Sequence, residues 1–202
     1  DDFVWKIGGN FCVSALYKLM NFSGRKYDGF MRMWSFKAVP AKVRIHMWTI
    51  MHNKLNTVKR LRLKGVHVTG GCVFCNDDDE DYMHLFLDCD FAFYVWTKCL
   101  VSLNICLDWS HFISDQFLFW NSTIITLPDT DMRHMFALLN FAYVWILWHE
   151  RNSRKFKCKM KRPNSVIFRI LNFVSLWSGK EEIRFVDTIG ARVMDRARGS
   201  RA

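Results

Sequence analysis

Gly70-Gly71-Cys72-Val73-Phe74-Cys75, followed by His84 and Cys89, is the stretch on which the reading of this chain turns. A Cys-x-x-Cys pair on a glycine turn presents two thiolates to one metal ion. His84, after eight intervening residues, and Cys89, after four more, complete a tetrahedral donor set. The expectation is one structural Zn2+ held by Cys72, Cys75, His84 and Cys89. Four protein ligands leave no open position for water or substrate, so the pattern argues against a catalytic metal and against an enzyme.

Charge is distributed unevenly around this core. From Lys37 to Lys64 the chain has eight basic residues and no acid, and from Arg151 to Arg162 it has seven more and again no acid. Between them, Gly71 to Asp90 holds seven acids, five of them in the run Asp77 to Asp81, and no Lys or Arg. The acidic run reads as a solvated loop between metal ligands. It lacks the alternating spacing and glycine of a calcium loop. A loop this negative beside an anionic metal centre repels phosphate, so the knuckle itself is a poor contact for nucleic acid. Lys59, Arg60, Arg62 and Lys64 on one short helix, and Arg151, Arg154, Lys155 and Lys157 further on, are the candidates for phosphate contact. Trp34 and Phe156 are candidates for stacking on unpaired bases, with Trp34 better read as core.

The 202 residues are half hydrophobic and include nine tryptophans, enough for one domain or two small ones sharing a core. The longest apolar run, Met135 to Trp148, is interrupted by Asn140, falls short of a membrane span and fits a buried helix. Seven cysteines, an odd number, argue against a disulfide framework and for a reducing compartment, nucleus or cytoplasm. Cys12, Cys99, Cys106 and Cys158 lack ligand-like neighbours and read as small hydrophobes. The chain opens without Met or a leader, as a piece of a longer protein would.

The predicted fold is mainly α with a small N-terminal β-hairpin, a zinc-stabilised domain with a helical C-terminal extension. Val4 to Ile7 and Phe11 to Val13 flank Gly8-Gly9-Asn10 as the hairpin, and Ser14 to Met20 begins a short helix. Pro40 fits the first position of a helix to about Met51, with Val43, Met47, Ile50 and Met51 inward. Thr57 caps a second helix that stops near Gly65, with Val58, Leu61 and Leu63 inward. Asp90 is placed as the cap of a helix burying Phe91, Tyr94, Val95 and Trp96. Asp131 is placed as the cap of a long helix through Trp148 into the basic run. Pro163 opens a last helix, with Ile167, Ile170, Leu171, Val174 and Trp177 on one side and a stop near Gly179.

Several of these residues occur in a familiar order. Trp5, Gly9, Phe11, Val13 and Tyr17 come first, then Val39-Pro40-Ala41-Lys42-Val43, Trp48, Leu55, Thr57, Leu61 and Gly65-Val66. Cys72-x-x-Cys75, His84-Leu85-Phe86-x-x-Cys89 and Trp96 follow. Together they resemble the zinc-binding domain that lies after the reverse transcriptase in plant non-LTR (LINE-type) retrotransposon proteins. Trp145 to Asn152 resembles the segment that often follows that domain. Asn56 departs from the family, which commonly has Pro there, as does Met47 beside Trp48; the spacing around Trp34 is irregular.

The resemblance implies a reverse-transcriptase-type zinc-binding domain over 1–100 and a connecting segment over 101–128. A helical extension with a basic segment would cover 129–189, and a basic, frayed tail 190–202. It also implies RNA or an RNA–DNA template as partner, with no membrane and no small-molecule substrate. A domesticated fragment docking a protein partner at the acidic loop is the alternative. No aromatic-x-Asp-Asp polymerase motif and no RNase H carboxylate set is present. His149-Glu150 lacks the second His of a metalloprotease helix.

Overall fold

A computed structural model describes residues 35–77, 80–105 and 129–179. The expected hairpin, the helix after Ser14, Trp34, most of the connecting segment and the tail lie outside the described residues. The architecture below belongs to the unit beginning at Phe36. Among the described residues it is helical, with no strand.

The described residues of this unit form five α-helices and one wide turn: α1 (Ala41–Met51), α2 (Val58–Leu63), a π-helical turn (His84–Asp88), α3 (Asp90–Ser102), α4 (Thr130–Lys157) and α5 (Pro163–Ser178). Helix α4 is the organising element. Helices α1 and α5 lie against it, and α3 packs on both α4 and α5. Its 28 residues span about 42 Å. Every residue from Phe136 to Val144 is buried, as expected of a helix enclosed by neighbours on several sides. Asn140, the polar interruption in this run, turns its Nδ2 back to donate to the Phe136 carbonyl at 2.7 Å.

Trp96 of α3 fills the centre, with ring centroids 5.8 Å from Phe136 and 4.8 Å from Tyr143. The Tyr143 hydroxyl lies 2.8 Å from both the Phe86 and Ala92 carbonyls. It therefore ties α4 to the π turn and to the start of α3. Burial pushes this phenol well above its ordinary pKa, so it stays a neutral donor.

Helix boundaries follow the expected chemistry with small shifts. Thr57 caps α2 by accepting from Arg60 N at 3.4 Å. Pro163 sits in the first turn of α5, which ends at Gly179 with φ +67°, a left-handed position that glycine takes without a Cβ penalty. Pro40 precedes α1 and serves as its cap residue. The α4 cap is Asp129, accepting from Asp131 N at 3.2 Å, and not Asp131. Helix α3 is preceded by Cys89, not capped by Asp90; Cys89 makes no side-chain cap bond, its sulfur being directed to the metal cluster. Leu63, expected inward, is 77% exposed, because α2 is one short turn and a half that buries only Val58 fully.

Candidate metal centre

Each ligand is positioned by a distinct local device. Gly70, at φ +73°, turns the chain into the knuckle. Asn76, at φ +64°, closes the knuckle, donating N–H to the Cys72 carbonyl at 2.9 Å. Cys72 N in turn donates to the Asp77 carbonyl at 2.6 Å. Phe74 N–H points at Cys72 Sγ, 3.4 Å away, a donor that favours the thiolate.

His84 and Cys89 come from the π turn. Residues five apart on an α-helix face about 140° away from one another. Here the turn widens, with Cys89 N donating to the His84 carbonyl at 2.9 Å, and both side chains reach the same point. Asp81 Oδ1 accepts from His84 N at 2.9 Å and fixes the start of the turn.

The four donor atoms lie within 4.8 Å of one another. Cys72 Sγ and Cys89 Sγ are 3.9 Å apart, and Cys75 Sγ is 3.2 Å from His84 Nε2. A tetrahedral zinc with Zn–S near 2.3 Å requires donor separations of about 3.5 to 3.8 Å. The cluster therefore fits one structural zinc. Cys72 and Cys89 are buried, while Cys75 is at the surface. Among the sulfurs alone, donation from Cys89 holds the Cys72 thiol down at about 5, while that same pairing pushes Cys89 up and burial raises Cys75. Three thiolates this close need a dication to coexist. The far nitrogen of His84, Nδ1, lies 3.9 Å from Asp77 Oδ2, beyond direct hydrogen-bond reach.

Beyond the ligands, two buried polar joints fasten this centre to α4. Glu80, in the middle of the acidic run, is fully buried. Arg151 forks onto it, Nη2 at 2.5 Å and Nε at 3.1 and 3.2 Å from its oxygens. The same carboxylate accepts Val58 N at 3.1 Å, and the Glu80 carbonyl accepts Lys59 N, so it also caps α2. The second joint is Arg154. Phe74 of the knuckle stacks on Phe91 of α3 at 4.6 Å, and the Arg154 guanidinium lies 4.8 and 4.4 Å from the two rings. Its charge is matched by Glu150 at 2.9 Å, whose Oε1 also accepts Lys161 N at 2.8 Å.

These joints correct two assignments. Arg151 and Arg154 were expected at a phosphate surface. Arg151 is 1% exposed and spent on Glu80, and Arg154 is sandwiched beside the knuckle. The acidic run is likewise no uniform solvated loop. Glu80 is interior, and Asp81 serves His84 N and pairs with Lys59 at 3.2 Å.

The remaining basic candidates stay at or near the surface. Lys59, Arg62, Lys64 and Lys157 are exposed, and Arg60 and Lys155 are half-buried. Arg62 donates to the Gly70 carbonyl at 3.1 Å and Lys64 to Asn56 at 2.8 Å, both on α2's outer side. Burial first, then the charge of Arg151, lowers the Lys155 ammonium pKa. Phe156 is largely exposed. The structure thus leaves Lys155 half-buried and commits Arg151 and Arg154 to the knuckle.

Residues 11–96 match the family described as zinc-binding in reverse transcriptase. The chain carries that domain. All four ligands and Glu80 lie inside the matched stretch, whereas Arg151, Arg154 and Tyr143 lie beyond it. The reverse-transcriptase zinc-binding domain is therefore completed here by a helix outside its own boundaries. No curated protein and no solved structure matches the chain. No helix among the described residues is long and apolar enough to cross a membrane.

Proposed function

We propose that the chain is a non-catalytic zinc-binding module of a plant LINE-type retrotransposon protein that binds RNA or an RNA–DNA template. The observation that carries this reading is the closed Cys72, Cys75, His84 and Cys89 cluster within the matched segment. A zinc with four protein ligands offers no position for substrate, which supports a scaffold role. Phosphate contact falls to Lys59, Arg60, Arg62, Lys64, Lys155 and Lys157, the basic candidates that the fold leaves outside its core. Such contacts give affinity without sequence choice and weaken steeply with salt. Work on a polymerisation template places the module in the nucleus or cytoplasm.

Equilibrium binding of the zinc-loaded chain to structured RNA, single-stranded DNA and duplex DNA across a salt series tests this. The expected result is salt-sensitive binding that favours RNA or single strands and collapses in an Arg62→Glu, Lys64→Glu variant. Weak binding to all three at low salt would overturn it and turn attention to a protein partner.

A further inference from the structure

The link between α4 and α5 is a short strap crowded with cations. Every residue from Phe156 to Arg162 is exposed, and Lys157, Lys159, Lys161 and Arg162 make up four of the seven. Among the described residues no carboxylate pairs with any of these four side chains. The strap is nonetheless held in place. Cys158 ends α4 at φ +51° and reverses the chain. Lys159 N then donates back to the Ser153 carbonyl at 3.3 Å. Lys161 N donates to Glu150 Oε1 at 2.8 Å, and the Lys161 carbonyl accepts from Arg154 Nη2 at 3.2 Å. The strap therefore runs back along the last two turns of α4, its backbone fastened and its cations left in solvent. Arg154 also lies against the Phe74 and Phe91 rings, so the residue that flanks the knuckle sets the strap.

Two features decide what such a strap would bind. Neighbouring cations without counter-charge repel one another, and a polyanion relieves this. A protein groove that reads an extended basic peptide also uses the peptide's backbone donors and acceptors. Here Lys159 N and both backbone groups of Lys161 are already taken by α4. Phosphates need only the side chains, and these are free. The second feature is Phe156, which leads into the strap 70% exposed, with the Arg151 guanidinium 6.0 Å from its ring centroid. An aromatic ring left in water among cations gains from stacking on a base. A duplex keeps its bases stacked on one another, so only an unpaired strand can supply one.

We propose that the α4–α5 strap is a single-strand-selective contact, in which Phe156 stacks on an unpaired base while Lys157, Lys159, Lys161 and Arg162 hold the flanking phosphates. The proposal rests on the nucleic-acid reading above and deepens it, naming the element that distinguishes an unpaired strand from a duplex. The cations of α2 attract either form; the exposed ring rewards one.

The test is anisotropy of labelled oligouridine, and of a duplex DNA, with the full zinc-loaded chain over a salt series. Each phosphate contact removed should lower the slope of log K against log salt by about 0.7 on a single strand. A Lys159→Ala, Lys161→Ala variant, which keeps the backbone bonds of the strap, should therefore lose about 1.4 from the slope, and Lys159→Ala alone about 0.7. Phe156→Ala should weaken oligouridine binding about tenfold at unchanged slope and leave duplex binding as it was, and Phe156→Trp should restore it. Arg62→Ala, Lys64→Ala serves as the separate probe of α2. Unchanged slopes in both lysine variants, with a reduced slope in the α2 variant, would overturn the strap as a contact, leave the nucleic-acid reading standing and assign these cations to a protein partner. Equal losses on oligouridine and duplex in Phe156→Ala would overturn the selectivity. A parent chain that fails to bind at low salt would remove both readings.

Discussion

The zinc cluster and the Glu80–Arg151 pair hold the same knuckle in place by opposite means. The cluster draws four residues from a stretch of 18, and its strength comes from a metal that discharges three thiolates. The ion pair joins residues 71 apart in sequence and stands without a metal. It is satisfied only because the Arg151 fork, Val58 N and the Trp148 ring, 4.9 Å from the guanidinium, enclose it together. A local joint can form as soon as its ligands meet a cation. The distant joint exists only once α4 has docked, so it reports on the assembled fold.

Breaking the local joint should have the largest effect. Cys89→Ser removes a buried ligand, and the variant should lose its zinc and melt well below the parent. Zinc sites in small modules contribute on the order of 10 kcal/mol, and the α4 core should keep part of the fold. Zinc content by mass spectrometry under native conditions, read beside the thermal melt, checks this. One zinc per chain in the variant would show that Cys89 is not a ligand.

Breaking the distant joint should come next. Arg151→Met leaves Glu80 buried without its partner and should cost about 3 to 5 kcal/mol. The zinc should remain bound. Urea unfolding with a parallel zinc assay separates the two joints; loss of metal in this variant would mean that they form one cooperative unit.

Acid offers a smaller and cleaner check on a residue that belongs to neither joint. Burial lowers His46 from its ordinary 6.5 to about 4. The unfolded chain therefore binds the proton first. Stability from neutral His46 is complete above about 6.5 and is lost as pH falls from there towards 4, by up to about 3 kcal/mol. A His46→Phe variant should show a shallower acid-side decline than the parent between those values. Parallel curves would show that His46 is already solvated in the fold.

The contrast between the joints also explains what was legible in the amino-acid order. Cys72, Cys75, His84 and Cys89 stand at ligand spacing, and their types restrict the chemistry, so the metal site could be read directly. Helices α1, α2 and α5 announce themselves through Pro40, Thr57, Pro163 and Gly179. Glu80 was hidden because it sits among four aspartates, and composition alone makes such a run look solvated. Its one signal is length: a glutamate among aspartates reaches further inward. Arg151 and Arg154 were hidden for the complementary reason. A basic run looks like a surface track until the helix phase and the facing elements are known. Helix α4 points one arginine at Glu80 and the next at Phe74, and neither partner lies within 70 residues of it in sequence.

The match to residues 11–96 ends at Trp96, yet Glu80 finds its cation at Arg151 and the Phe86 carbonyl finds its donor at Tyr143. A transplant cut at the family boundary would carry every metal ligand and still arrive with a stranded carboxylate and a bare aromatic wall. The unit that recombination or an engineer can move intact is thus longer than the unit that sequence similarity outlines, and it closes only after α4.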